Sequence, residues 1–364
     1  MSVDMTDHVR GMEIPERLRE PLRRALTGQD FPWPERLDAA EIEALVAHGV
    51  APLAYAAVHV PALREEALRA AAAESLRLLD LRNVLAVLPP AIILKGTALA
   101  YDLYAAPELR PRSDTDLLIA AASLGATRGA FLRLGYSERL TSGDEHGVRQ
   151  TAFSRVDMYG IEHVYDVHWA VANSAVFAGM LRFEELEPIP LPQIGAGAYT
   201  MRDAEALLLA CVHRVAHHQD SEKLIWLVDI DLLRARMPRE EHRRFWQLAA
   251  RRRVVHVCMH SIATTDAWLG RAPSHEAREF IEVPEDEPSR VFLDRDIRYG
   301  ALTFADLRAL PWPARLQRLR QLAFPPRAFM EESFATRNRV ALPWLYLYRG
   351  LRGVVRLFAR AGTR

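Results

Sequence analysis

Lysine is almost missing from this chain. Of its 47 basic residues only Lys95 and Lys223 are lysine, the rest being arginine. Against that background a retained lysine marks a position to watch. Cysteine is as scarce: Cys211 and Cys258 are too few for a disulfide framework or a four-sulfur zinc site. Net charge is missing too, with 47 acids against 47 bases. This excludes a globally basic nucleic-acid coat and an acidic disordered tail, though not a local patch. No apolar run approaches the roughly 18 residues that cross a bilayer. The opening MSVDMTDHVRGMEIPERLRE has no apolar segment of the secretory kind. Repeats and low-complexity tracts are absent. The expectation is a reduced, cytoplasmic protein.

What is there is an ordinary globular composition. The 364 residues are 50% hydrophobic and 26% charged, enough for about two domains with a real core. The pattern divides into an N-terminal helical region over 1–88, a core over 89–190 and a helical domain over 198–364. Residues 37–88 read as helical, with Leu63, Leu68, Ala72, Leu76, Leu79 and Val84 as the apolar face, up to the stop at Pro89-Pro90. Strands are expected at 91–94, 116–119, 149–156 and 161–169, the last two joined by a turn at Tyr159-Gly160. Helices are expected at 97–105 and 121–134. The proline-rich stretch 188–197 reads as a boundary. Helices then fill 202–270, with shorter ones at 275–282, 303–310, 313–323 and 342–360. The fold class is α+β: a small mixed β-sheet with flanking helices and a C-terminal helical domain.

Segment 93–120, ILKGTALAYDLYAAPELRPRSDTDLLIA, concentrates the chemistry. Asp114 and Asp116 enter a strand one residue apart, so alternation puts both carboxylates on one face. Like charges this close repel unless a cation lies between them. Hard oxygen donors suit Mg²⁺ or Mn²⁺. In the later strand IEHVYDVHW, Asp166 is a polar residue among apolar ones and shares its face with His168, the place for a third ligand. Between the first strand and the following helix, Gly96 permits close approach of a phosphate, and a helix N-terminus favours negative charge.

The segments LKGTALAYDLY, LRPRSDTDLLI, YDVHW and HRVAHHQDSEKLIWLVDIDLL resemble the bacterial nucleotidyltransferase family usually labelled uncharacterised, within the polymerase-β-like superfamily. The resemblance covers residues 90–235. It departs from the superfamily's usual Gly-Ser or Gly-Gly turn in having Gly96-Thr97 preceded by Lys95. It implies two Mg²⁺ ions, an NTP donor, nucleotidyl transfer and pyrophosphate release. Asp114 and Asp116 would then bridge the metals and Asp166 would hold the second. Gly96 and Thr97 would hold the β- and γ-phosphates, Lys95, Arg110 and Arg112 would neutralise charge there, Lys223 would reach in from the opposite wall, and His168 would orient the acceptor or bind phosphate. The acceptor is not implied. A small molecule or peptide is favoured, as in natural-product tailoring; an RNA-modifying, toxin-like enzyme and a non-catalytic nucleotide-binding scaffold are the alternatives.

Two further features stand out. His213, His217 and His218 invite a zinc reading, but the helix lacks a metalloprotease glutamate and a thiol pair, so packing beside the cleft is expected. At the C-terminus, Arg349, Arg352, Arg356 and Arg360 form one stripe, with Leu347, Leu351, Val354, Val355 and Phe358 largely opposite. Such a helix packs on the protein body with its arginines complementing the helix dipole, or it meets RNA, a membrane surface or a protein partner. Packing on the body is the expectation.

Overall fold

The apolar runs on either side of the acidic pair become neighbouring strands. The computed structural model describes residues 13–139 and 149–358, apart from 219, 295 and scattered positions between 326 and 340. Its main sheet contains β1 (Ala91–Ile93), β2 (Thr115–Ile119), β3 (Ser137–Arg139), β4 (Gln150–Val156) and β5 (Glu162–His168) in the order β1-β2-β5-β4-β3. All pairings are antiparallel except β2 with β5. The β4–β5 turn is set by Asp157, whose carboxylate accepts from the amides of Tyr159 and Ile161 at 2.9 Å, and by Gly160 at φ +82°. Strand β3 has no counterpart in the sequence reading, being short and polar.

The expected helical stretch before the sheet is three main helices, α1 (Glu16–Leu26) lying ahead of them: α2 (Ala39–Ala47), α3 (Ala51–Val58) and α4 (Arg64–Leu85). The face assigned to α4 needs correction. Leu68, Ala72 and Leu79 are exposed, while Glu74, Asp80, Leu81 and Val84 are buried. The sheet explains why. Its back face presents the hydroxyls of Tyr136 and Tyr165, which both donate to Asp80, and Tyr101 donates to Glu74 at 2.7 Å. Buried donors need acceptors, and α4 supplies them at the cost of turning leucines outward. Around these bonds pack Phe131, Phe153, Tyr165 and Val167, with Phe131 and Phe153 stacked at 4.5 Å.

Helix α5 (Lys95–Asp102) begins two residues earlier than expected, and α6 (Leu124–Arg133) lies within its expected range. Segment 188–197 is not merely a boundary: Ile189–Pro190 (β6) pairs with Tyr199–Thr200 (β7). The helical region resolves into α7 (Asp203–Ala216), α8 (Leu224–Arg236), α9 (Arg239–Arg252) and α10 (Val255–Leu269). Their core, with Phe245, Trp246 and both cysteines buried, continues without a gap into Ile92, Leu94 and Leu118 of the sheet. Leu224, Ile225 and Leu227 of α8 also pack into the core of the N-terminal helices. The chain closes with α11 (Tyr299–Ala309), α12 (Trp312–Ala323) and α13 (Leu342–Phe358). Arg360, the last of the arginine stripe, lies outside the described residues. Among those residues no single helix is long and apolar enough to cross a membrane.

Candidate functional site

The parallel register of β2 and β5 assembles the front face of the sheet. Asp116 lies opposite Asp166, and Leu118 opposite His168. Because side chains alternate along a strand, Asp166 and His168 share that face. Asp116, Asp166 and His168 each offer one ligand atom, all within 4.8 Å of one another. Asp114 stands one residue before β2, two before Asp116, and is half-buried.

Lys95 reaches the same point from the other side. Its Nζ donates to Asp116 Oδ1 at 2.7 Å, and His168 Nε2 meets that oxygen at 2.8 Å. The lysine does this from φ +46°, a left-handed backbone that costs a residue with a Cβ about 1–2 kcal/mol. The outlier sits where strand turns to helix, and it aims the ammonium at the carboxylate.

The site is overloaded with negative charge. Burial, with repulsion from Asp116 and Asp114 added, pushes the Asp166 carboxyl up to about 7. Burial and then Asp116 raise Asp114. Burial would raise Asp116 as well, but Lys95 and His168 outweigh it and hold it below the usual carboxylate range. Burial keeps His168 below its ordinary value, hence neutral. Its Nε2–H then donates to the ionised Asp116, leaving Nδ1 buried with no hydrogen-bond partner. An uncompensated carboxylate group of this kind fits a hard divalent cation.

The arginines of the turn are anchored in the fold. Arg110 Nε and Nη2 donate to Asp229 at 3.0 and 2.6 Å, and the Tyr104 hydroxyl donates to the same carboxylate at 2.7 Å. Its remaining nitrogen, Nη1, lies against Gly96: a Cβ there would be 2.4 Å from it. A side chain at 96 would therefore have to displace the buried Arg110 guanidinium from Asp229. Arg112 donates to Glu74 at 2.9 Å, to the Asp114 carbonyl at 3.1 Å and to Thr115 Oγ1 at 2.6 Å. The Thr97 hydroxyl is buried, 3.5 Å from the Asp114 carbonyl oxygen. Arg110, Arg112 and Thr97 thus brace the segment that carries Asp114 and Asp116.

The helical side contributes a wall of rings. His213 Nε2 lies 3.2 Å from His218 Nε2, and the His218 ring centre is 4.4 Å from that of Trp226. Lys223, just before α8, holds its ammonium 5.5 Å from the Trp226 ring. Burial and then the positive charge of Lys95 keep His213 and His217 neutral, His217 at about 3. The roles of Asp229 and Glu74, which hold the two arginines, escaped the sequence reading. Asp229 lies inside the WLVDIDLL segment quoted above, whereas nothing in the sequence sets Glu74 apart from the solvated acids of a helix. A separate cavity of about 260 Å³ opens at the ends of β2 and β5, lined by Ile119, Arg149, Trp169 and Arg182 among others, and holds none of the three aspartates.

A family model described as an uncharacterised nucleotidyltransferase matches residues 34–270, a span reaching from the N-terminal helices through α10. No match was found among curated proteins or among solved structures.

Proposed function

The chain belongs to this uncharacterised nucleotidyltransferase family, and from that premise we propose that it moves a nucleoside monophosphate from an NTP to a hydroxyl or phosphate of a small molecule or peptide. The observation that carries the reading is the register of Asp116 against Asp166, with Asp114 beside them and Lys95 above. Asp114, Asp116 and Asp166 would hold Mg²⁺ or Mn²⁺. When bound, the metal would neutralise phosphate charge and lower the pKa of the attacking group.

The chain's own residues do the rest. His168 fixes the orientation of Asp116 through its Nε2–H, as a positioning residue. Lys95, whose ammonium lies on Asp116, would neutralise triphosphate charge at the site. The amide of Gly96 and the start of α5 lie beside it for the β- and γ-phosphates. Asp166, opposite Asp116 in the strand register, would accept the acceptor's proton. The partly exposed Trp226 ring, packed beside His218, would stack on a base, and Lys223 stands beside it for phosphate. Arg110 and Arg112 keep the turn rigid.

The test is transfer of label from each α-labelled NTP, with Mg²⁺, to fractions of small metabolites, peptide extract and total RNA, using Asp116→Asn as control. Label in the small-molecule or peptide fraction, absent in the control, is the expected result. Label in RNA alone would assign the toxin-like activity instead. Measurable NTP binding without transfer would leave a nucleotide-binding scaffold.

A further inference from the structure

The C-terminal helices turn their apolar sides outward. Along α13 the ridge Trp344, Leu347, Tyr348, Leu351, Val355 and Phe358 is exposed, Trp344 by 72% and Val355 by 71%. Its other side meets the end of α12, where the Tyr346 hydroxyl donates to the Pro325 carbonyl and Arg349 to the Leu322 carbonyl, both at 2.7 Å. The helix is thus held by the side opposite its apolar ridge. Helix α12 repeats the arrangement: Trp312, Leu316 and Leu319, at helical spacing, are exposed. More than half of the exposed large apolar side chains among the described residues lie between Phe304 and Phe358.

Charge follows the same boundary. Residues 307–364 contain twelve arginines, no lysine and only Glu331 and Glu332 as acids, in a chain whose overall formal charge is zero. An excess of ten positive charges is thus gathered onto the segment that also carries the apolar ridges. Arg315 lies over the Trp312 ring at 5.7 Å and Arg308 over Phe304 at 5.8 Å, so cations and rings share one surface.

We propose that α12 and α13 form a docking surface for an anionic lipid bilayer, lying in its interface with the ridges among the acyl chains and arginines at the headgroups. Apolar ridges, aromatic residues and flanking arginines together are what an interfacial helix requires, and the cytoplasmic leaflet is the anionic one. A second copy fits poorly, because two such surfaces would bring their positive charges together. RNA fits poorly because Leu347, Leu351 and Val355 occupy the crest where phosphates would have to sit.

The full chain is to be floated with phosphatidylglycerol/phosphatidylcholine vesicles and with pure phosphatidylcholine vesicles. Leu351→Glu/Val355→Glu is compared by the same assay and by melting temperature; both positions are exposed, so folding should not change. The expected result is flotation with the anionic vesicles only, weakened more than tenfold in the double variant. Absence of flotation, or flotation undiminished in a folded double variant, would overturn the proposal. Lipid-free dimerisation that the variant abolishes would reassign the surface to self-association, and RNA binding unaffected by the variant would reassign it to RNA; either, without vesicle binding, overturns it too.

Discussion

Lys95 and Asp116 are paired at 2.7 Å between α5 and β2, both side chains about nine-tenths buried, and the lysine makes the pair from a left-handed backbone. The ammonium thus occupies the place a cation would take on that carboxylate. Lys95→Met leaves three neighbouring carboxylates without it. Breaking a buried pair costs about 3–5 kcal/mol, so the melting temperature of the metal-free variant falls by several degrees, and Mn²⁺ restores more of it than in the parent protein. Nucleotidyl transfer drops about a hundredfold or more. Equal melting temperatures without metal would show that the pair does not hold the site together.

Asp166→Asn separates stability from activity. The carboxylate is crowded by Asp116 and Asp114, so a neutral isostere removes repulsion and raises the melting temperature of the metal-free protein. The same change removes a metal donor and the proton acceptor, and transfer falls at least a thousandfold. Scanning calorimetry beside the labelling assay reads both effects. A variant that is inactive and also less stable than the parent would contradict the charge account.

Gly96 and Arg110 behave as one unit. Gly96→Ala drives a methyl into Arg110 Nη1 and loosens its grip on Asp229, at a cost of about 1–3 kcal/mol. Arg110→Lys keeps the charge but removes the nitrogen that collides. Measured by denaturant unfolding, the double variant should be less destabilised than the sum of the two singles, with a coupling of about 0.5–3 kcal/mol. Strict additivity would mean that the glycine serves something other than the arginine.

His242 and Glu276 tie α9 to the segment after α10. Glu276 raises the His242 pKa against the opposing effect of partial burial. A histidine raised in the folded state contributes stability that is complete below its unfolded pKa of about 6.5 and is lost as the pH rises through the folded value. His242→Gln therefore lowers the unfolding free energy at about pH 6, by on the order of 1 kcal/mol, and by progressively less toward pH 9, read as the shift in melting temperature. A deficit independent of pH would assign His242 a packing role only.

What could be read from the sequence follows from periodicity. Alternation sufficed to put Asp116 on one strand and Asp166 with His168 on the next, because a strand has two faces and one was plainly apolar. The rarity of lysine pointed at Lys95. Partners distant along the chain were another matter. Glu74 and Asp80 sit in a helix of ordinary amphipathic appearance, and only the tyrosine hydroxyls and arginines brought against them by the fold make their burial favourable. The same holds for Asp229 under Arg110. The outward ridge of α13 was legible as amphipathic but not as to which side met the body, since periodicity defines faces and not their orientation.

The single parallel junction in the sheet has a consequence for how the site comes into being. Strands β2 and β5 cannot be joined by a hairpin; the chain must first pass through α6, β3 and β4 before β5 can lie beside β2. Pairing across that separation comes at a high entropic cost and belongs to the slow, non-local part of folding. The β4–β5 hairpin and the Phe131–Phe153 stack form from nearer neighbours, so the carboxylates of Asp116 and Asp166 meet late.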